Sequence, residues 1–299
     1  SRTFFMPKFT LKNEFTSSHY IKLSYSKNND LNKVENLLQN EVIGNYRTIF
    51  KNQDISFDMI FPNQQIALDY FYFNSENKLS IVSNFSYFKA KNILSSNSVS
   101  SSTLNTISYK LAPLEDRFNS MLFLEKTFSK IPFSARGSIS YSDSNKSFFS
   151  NNEDQNLNTK SISGYFSFLS RFKKTSFQIE TGILFAKDDY KDELSLNYLS
   201  VINPYTEASF KLSKNLSFVS KFSYKKFMSN TSSSDLYTLS PKFRYVFPKS
   251  KAEISLIGND ILNLQNNQQI SITRFDNFTE ETVYKILPGY FLINFKLKL

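Results

Sequence analysis

The chain has 299 residues, 40% hydrophobic and 16% aromatic, with a formal net charge of +10 and no cysteine, and its mean hydropathy is -0.36. A disulfide framework, a thiolate nucleophile and a cysteine-based metal site are excluded. Its longest apolar stretches, such as Tyr70 to Phe73 and Met121 to Leu124, fall far short of the roughly 18 consecutive apolar residues of a spanning helix.

The aromatic load is 32 Phe and 17 Tyr without Trp, beside only 6 Gly and 8 Pro. It favours extended structure, because aromatic rings fit a pleated surface. The chain opens on Ser1-Arg2-Thr3-Phe4-Phe5, which lacks the basic, apolar and small-residue succession of a signal peptide. A signal peptide is therefore expected to be absent or already removed, and the start to be internal to a longer gene product.

Period-two alternation predicts strands at Phe9 to Phe15 and Tyr20 to Ser26. Between them the single histidine, His19, lies in the turn-like run Thr16-Ser17-Ser18-His19, with Glu14 the nearest acid in sequence. A catalytic base needs a nucleophile and an orienting partner, and neither is apparent. The segment Leu31 to Tyr46 does not alternate; Leu31, Val34, Leu37 and Leu38 fit helical spacing and predict a short helix or folded loop.

Further strands are predicted at Gln65 to Phe73, Leu79 to Phe88, Leu104 to Leu111 and Phe118 to Phe128. Beyond these, Phe133, Ala135, Ile139 and Tyr141 oppose Ser134, Arg136, Ser138 and Ser140, and Ile162 to Leu169 follows. Phe177, Ile179, Ile183 and Phe185 oppose Gln178 and Glu180, and Thr206 to Leu212 comes next. Leu216, Phe218, Phe222 and Tyr224 oppose Ser217, Lys221, Ser223 and Lys225. Leu239 to Phe247, Ala252 to Ile257 and a weak piece at Ile270 to Phe275 precede the last segment, where Phe291, Ile293, Phe295, Leu297 and Leu299 share one face.

Without the weak piece this makes about 14 strands, many near the roughly 9 to 11 residues that cross a bilayer when tilted. Asn74 to Asn77, Phe172 to Thr175, Lys214-Asn215 and Pro248 to Ser250 read as tight turns, and Ser142 to Lys160, Lys187 to Tyr198 and Ser229 to Asp235 as longer polar loops. Short turns alternating with long loops is the pattern of a barrel meander, broken here where Pro113 to Arg117 and Lys130 to Pro132 give two short connections in succession.

The chain thus reads as one all-β domain, residues 1–299, an antiparallel transmembrane β-barrel of the meander type and part of a larger barrel. A soluble β-sandwich also alternates, but strand length, strand number and the abundance of Phe and Tyr favour the barrel in a bacterial outer membrane.

Phe291, Ile293, Phe295 and Leu297 are expected to face lipid, and Arg136, Glu180, Lys221, Lys225, Arg244, Glu253, Lys296 and Lys298 the lumen. Lysines spread along the whole chain predict solvated faces, lumen walls or contacts to acidic lipid headgroups, and no nucleic-acid partner. Asp188, Asp189, Asp192 and Glu193 are weak candidates for a hard cation, since the run lacks the spaced ligands and turn glycine of a calcium loop. Glu280 and Glu281 are adjacent and would point to opposite faces of a strand. No phosphate loop or serine elbow is present, and neither enzymatic activity nor a cofactor is expected.

Ala252 to Leu264, followed by a polar strand pair and Ile286 to Leu299, resembles the ending of TonB-dependent receptor barrels from Bacteroidetes. Asn259, Leu262 and Asn263 approximate that family's asparagine-leucine box, and Pro288-Gly289-Tyr290 stands where Pro-Arg-Tyr is usual. Leu124 to Pro132 resembles a strand and turn of its large barrels that follow a carboxypeptidase-like regulatory domain, and Ile66 to Lys91 a mid-barrel hairpin. Leu299 departs from the aromatic residue at the family's end.

The resemblance implies uptake of a bulky substrate, with a plug domain, TonB or other outer-membrane subunits as partners beside the lipid bilayer. Barrels of that family have about 22 strands and carry a plug and a TonB box, neither of which is visible here. The chain is therefore expected to be the C-terminal barrel part of a longer protein. Two alternatives stand beside this one: a plugless scaffold subunit of an outer-membrane complex, and a soluble or surface β-rich binding protein such as an adhesin.

Overall fold

A computed structural model describes the chain apart from residues 1–4, 32–41, 46, 52–59, 102–103, 173–175, 193–194, 249–251, 263–267, 275–278, 288 and 298–299. In chain order the strands are β1 (Lys8–Thr16), β2 (His19–Leu31), β3 (Val42–Asn45), β4 (Thr48–Phe50), β5 (Ile60–Asn74), β6 (Leu79–Ser100), β7 (Asn105–Thr127), β8 (Phe133–Ser150) and β9 (Glu153–Ser170). They continue with β10 (Phe177–Lys191), β11 (Leu196–Lys211), β12 (Leu216–Ser229), β13 (Ser233–Val246), β14 (Ala252–Asn259), β15 (Gln268–Arg274), β16 (Thr279–Lys285) and β17 (Tyr290–Leu297).

Thirteen strands form one continuous path, β1-β2-β5-β6-β7-β8-β9-β10-β11-β12-β13-β14-β17, and every neighbouring pair on it is antiparallel. The fold is the all-β meander expected from the alternation. Among the described residues β1 and β17 do not pair, so the sheet is open, and every residue of these two edge strands is exposed.

Leu104 to Leu111 and Phe118 to Phe128, expected as two strands, belong to the single 23-residue β7. The apolar phase changes at Pro113, from Ile107, Tyr109 and Leu111 to Leu114, Phe118, Leu122 and Leu124, so one strand reads as two. Proline cannot donate to a ladder, and Asn92 on β6 answers it with a positive φ of 53°. With β7 continuous, the irregular pair of short connections disappears.

The predicted long loops are also corrected. Ser142 to Lys160 is the extended upper half of the β8–β9 hairpin, turned at Asn151 and Asn152, whose φ values are 50° and 68°. Most of Lys187 to Tyr198 is likewise paired, as far as Lys191 opposite Leu196, and Ser229 to Asp235 shrinks to a short turn beyond Met228 opposite Ser233. Loops rich in Ser and Asn were here strands running past the apolar zone, where alternation carries no hydrophobic signal. Of the segment Leu31 to Tyr46, expected as a short helix or folded loop, Leu31 ends β2 and Val42–Asn45 is the strand β3, while residues 32–41 and 46 lie outside the described residues. Ile270 to Phe275 contains a true strand, β15, but it pairs only with β16 in a separate two-stranded sheet.

A single curved layer buries little, and the buried apolar residues fall into two small clusters. One, at the upper ends of β6 and β7, contains Ala90, Ile93 and Ala112, with Phe88 and Phe149 packed against it. There the β6–β7 hairpin folds over so that Asn97 and Ser98 of β6 lie parallel to Phe149 and Ser150 of β8. Asn97, 1% exposed, accepts from the Asn152 amide at 3.1 Å and donates to Asn152 Oδ1 at 3.0 Å. The other cluster holds the β15–β16 hairpin to the sheet.

Candidate functional site

The ladder registers sort the side chains onto two faces. Phe177 pairs with Phe210, Phe210 with Phe218, Phe218 with Phe243, Phe243 with Leu256 and Leu256 with Ile293. Because successive residues point to opposite faces, Phe291, Ile293, Phe295 and Leu297 share one face with all of these. No second sheet covers that face among the described residues, and Ile293 is 75% exposed.

On each long strand this apolar run has similar limits. It covers Leu79 to Tyr87 on β6, Phe177 to Phe185 on β10 and Leu216 to Tyr224 on β12, and the next residue on the same face is Lys89, Lys187 or Lys226. Aromatic rings mark both borders. Near the short turns, ring centroids follow one another from Phe133 to Phe172 at 5.9 Å, Phe172 to Phe177 at 6.5 Å, Phe177 to Phe210 at 4.7 Å, Phe210 to Phe218 at 6.0 Å and Phe218 to Phe243 at 4.5 Å. At the other border Phe118 meets Tyr141 at 6.2 Å and Tyr224 meets Tyr237 at 4.8 Å.

The opposite face is polar. Arg136, Glu180, Lys221, Lys225, Arg244, Glu253 and Lys296 all lie on it, and Lys298 is outside the described residues. Arg136 Nη2 donates to both oxygens of Glu180 at 2.8 and 2.9 Å, and its Nε to Ser167 Oγ at 3.2 Å. Tyr205 donates to Glu180 Oε1 at 2.7 Å, and the Lys221 ammonium sits 4.8 Å from the centre of the Tyr205 ring. Arg244 pairs with Glu253 at 2.6 Å, and Glu253 faces Lys296 across the β14–β17 ladder. Tyr205 and Ser167 belong to this network, but their partners lie on neighbouring strands, 25 residues away for Tyr205 and Glu180 and 31 for Ser167 and Arg136, and no local motif announces them.

The hairpin of β15 and β16 folds back against this polar side. Its Ile270, 1% exposed, packs on Phe227 and Leu236, with Leu199, Val201 and Ile286 around them. Ser234 Oγ donates to the Gln268 carbonyl at 2.8 Å. Burial alone would raise the Glu281 carboxyl, yet hydrogen bonds from Ser232, Ser229 and Thr231 at the β12–β13 turn outweigh it and hold the group below its ordinary range. A pocket of about 420 Å³ lies between the hairpin's Gln269 and the wall residues Ser138, Ser163, Asn203, Lys225 and Phe227. Asn203 is 9% exposed, and its Oδ1 has no hydrogen-bond partner.

The acidic run does not converge. Asp188 accepts from Ser161 at 2.5 Å, Asp189 pairs with Lys187 at 2.9 Å, and Asp192 accepts from the Ser195 amide at 2.6 Å. Asp188 and Asp189 point to opposite faces of β10, and Glu193 is outside the described residues. Among the described residues no group of three His, Cys, Asp or Glu could hold a metal. His19 is packed among Phe15 at 4.6 Å, Tyr72 at 5.2 Å and Tyr70 at 5.6 Å, on the apolar face.

No protein-family model matches the chain, and no curated protein matches it. Among solved structures it is similar to the ferric yersiniabactin uptake receptor FyuA from Yersinia pestis, with a TM-score of 0.50 and 8% identity over 97% of this chain and 48% of that one. The copper transporter OprC aligns with a TM-score of 0.49 and 8% identity over 84% of this chain and 43% of its own. The chain thus spans about half the length of the solved structures it matches. At this identity the likeness shows the fold: an antiparallel transmembrane β-barrel wall.

Proposed function

We propose that the chain is an outer-membrane barrel wall of the TonB-dependent receptor type, serving uptake of a bulky substrate, with its apolar face toward lipid and its polar face lining the lumen. The observation that carries this reading is the belt. An apolar run of about nine residues per strand spans roughly 30 Å along the chain and about 22 Å along the membrane normal at the usual tilt, close to the apolar band of such barrels. Charges begin where that height ends, and aromatic rings sit at both limits, as they do at membrane interfaces.

A wall of this kind orders a polar channel side, and the hairpin of β15 and β16 would narrow it. A non-enzymatic role goes with this reading, in which His19 is packed among the rings of Phe15, Tyr70 and Tyr72. The resemblance of Ala252 to Leu264 and Ile286 to Leu299 to the ending of Bacteroidetes TonB-dependent receptor barrels, and of Leu124 to Pro132 to their large barrels that follow a carboxypeptidase-like regulatory domain, supports a plug domain and TonB as partners.

In hydrocarbon every backbone N–H and C=O must be paired, so the free edges of β1 and β17 call for further strands to close the wall. Those edges also favour a second reading, in which the chain is a scaffold wall completed by another outer-membrane subunit.

Because the chain has no native cysteine, single labels are unambiguous. Ile293→Cys and Lys221→Cys, each carrying a fluorophore, are reconstituted into bilayers containing lipids with a quencher on the acyl chain. Quenching at 293 and not at 221 is expected, and the reverse would overturn the assignment of faces. Conductance through the reconstituted wall, or tight co-purification with a second subunit, then separates channel from scaffold.

A further inference from the structure

We propose that Lys27, Lys89 and Lys91 form a binding site for the phosphate of an anionic lipid headgroup on the outer surface of the barrel, just above the apolar belt. The site rests on the reading that the apolar face meets lipid. Lys27 pairs with Gln64 and Gln64 with Lys89, so the three side chains form one transverse row across β2, β5 and β6, and Lys91 follows on the same face of β6. Together with Pro62 and Asn63 these residues line a pocket of about 260 Å³.

The row directly beneath, one strand repeat toward the belt, is Tyr25, Ile66 and Tyr87, again in ladder register. Ile66 is 46% exposed and Tyr87 37%. A ligand filling both rows therefore carries a negative group and apolar chains on one side of it. A freely soluble anion would satisfy the lysines and leave the apolar row uncovered.

This part of the border gathers three lysines around one pocket. Two other border lysines are paired with acids, Lys160 at 3.6 Å from Asp143 and Lys187 at 2.9 Å from Asp189. Among the described residues Lys27, Lys89 and Lys91 make no ion pair within 4.0 Å. Asp116, opposite Lys89 on β7, accepts instead from Asn145 Nδ2 at 3.0 Å. Three ammonium groups around one pocket repel one another, and an anion held between them removes that repulsion. Near a bilayer surface each such lysine is worth several-fold in affinity for acidic lipid.

The test is lipid retention measured by native mass spectrometry on the purified full chain, exchanged into mixed micelles of dioleoyl phosphatidylglycerol and dioleoyl phosphatidylcholine. Wild type should retain phosphatidylglycerol with at least roughly tenfold preference. The variant K27Q/K89Q/K91Q should lose that preference while keeping its phosphatidylcholine occupancy and its β-sheet circular dichroism. Absence of any preference in wild type, or its survival in the triple variant, overturns the proposal. So does full displacement of phosphatidylglycerol by excess inorganic phosphate, which would mark a soluble-anion site. Acyl-chain quenching at residue 293 in the same preparation tells a failed site from a failed assignment of faces.

Discussion

Arg136 on β8 reaches across β9 and closes on both carboxylate oxygens of Glu180 on β10, at 2.8 and 2.9 Å. The two strands are not neighbours, so the pair ties three strands together on the polar face. Nη2 alone spans both oxygens, while Nε donates to Ser167 and Tyr205 donates to Glu180. The Arg136 side chain is 38% exposed and Glu180 17%, so water screens part of the attraction. A double-mutant cycle of Arg136→Ala and Glu180→Gln should give a coupling of about 1 kcal/mol in urea unfolding from lipid vesicles. Additive effects would show that the pair is geometrically close but energetically idle.

Gly164 on β9 faces Phe185 on β10 in the ladder, and the phenyl ring lies over the space where a Cβ would be. A Cβ added at Gly164 would meet Phe185 Cζ at 2.8 Å and also the carbonyl oxygen of Ser138. The carbonyl belongs to the backbone and cannot step aside, so Gly164→Ala should destabilise the fold by roughly 1 to 3 kcal/mol through overpacking. Adding Phe185→Ala removes the ring contact but not the clash with Ser138. The double variant should therefore recover only part of the loss, and full recovery would contradict the placement of that carbonyl.

The strands were legible in the sequence through their apolar belt, and their full length was not. Alternation located Leu79 to Phe88 and Phe177 to Phe185 because phenylalanine and leucine contrast with serine and lysine there. The upper half of β6 continues as Asn-Ile-Leu-Ser-Ser-Asn-Ser with both faces polar or mixed, so nothing local marks it as strand. The lumen-side candidates could be picked from the phase of single strands, as Arg136 and Glu180 were. Their joining through Ser167 and Tyr205 depends on ladder register, which is set by turns and pairing partners. The seat of Ile270 was invisible for another reason: β15 looks like a weak strand, and its burial comes entirely from a fold-back onto Phe227 and Leu236.

Glu281 supplies a pH dependence for that fold-back. Hydrogen bonds from Ser232, Ser229 and Thr231 keep its carboxyl below the ordinary value against the opposing effect of burial. A carboxylate whose folded pKa is depressed adds stability above its unfolded pKa, and that contribution is lost as pH falls through the folded one. Docking of the hairpin should therefore be constant from neutral pH down to about 4.3, the ordinary glutamate value, and weaken below it. Amide exchange of residues 268–274, read at a series of pH values and corrected for intrinsic rates, measures this. Glu281→Gln should be looser at neutral pH and lack the acid-dependent loss; an unchanged acid profile in that variant would assign the effect to another group.

Ile293 and Leu292 are adjacent on β17, and the ladder sends them to opposite faces: Ile293 sits beside Leu256 on the apolar side, Leu292 beside Ile257 on the polar side. A soluble sheet edge would tolerate a lysine at either position, since both side chains are exposed. A bilayer would not treat them alike. With the apolar face in lipid, Ile293→Lys places a charge in hydrocarbon and should cost about 2 to 4 kcal/mol near the midplane. Leu292→Lys places the same charge beside Lys296 and Asn294 on the wet side and should change stability by less than about 1 kcal/mol. The contrast between neighbouring positions cancels differences in strand propensity and edge position, which the two substitutions share. Refolding titrations into lipid vesicles would read it directly, and equal costs at 292 and 293 would mean that β17 does not present one side to lipid.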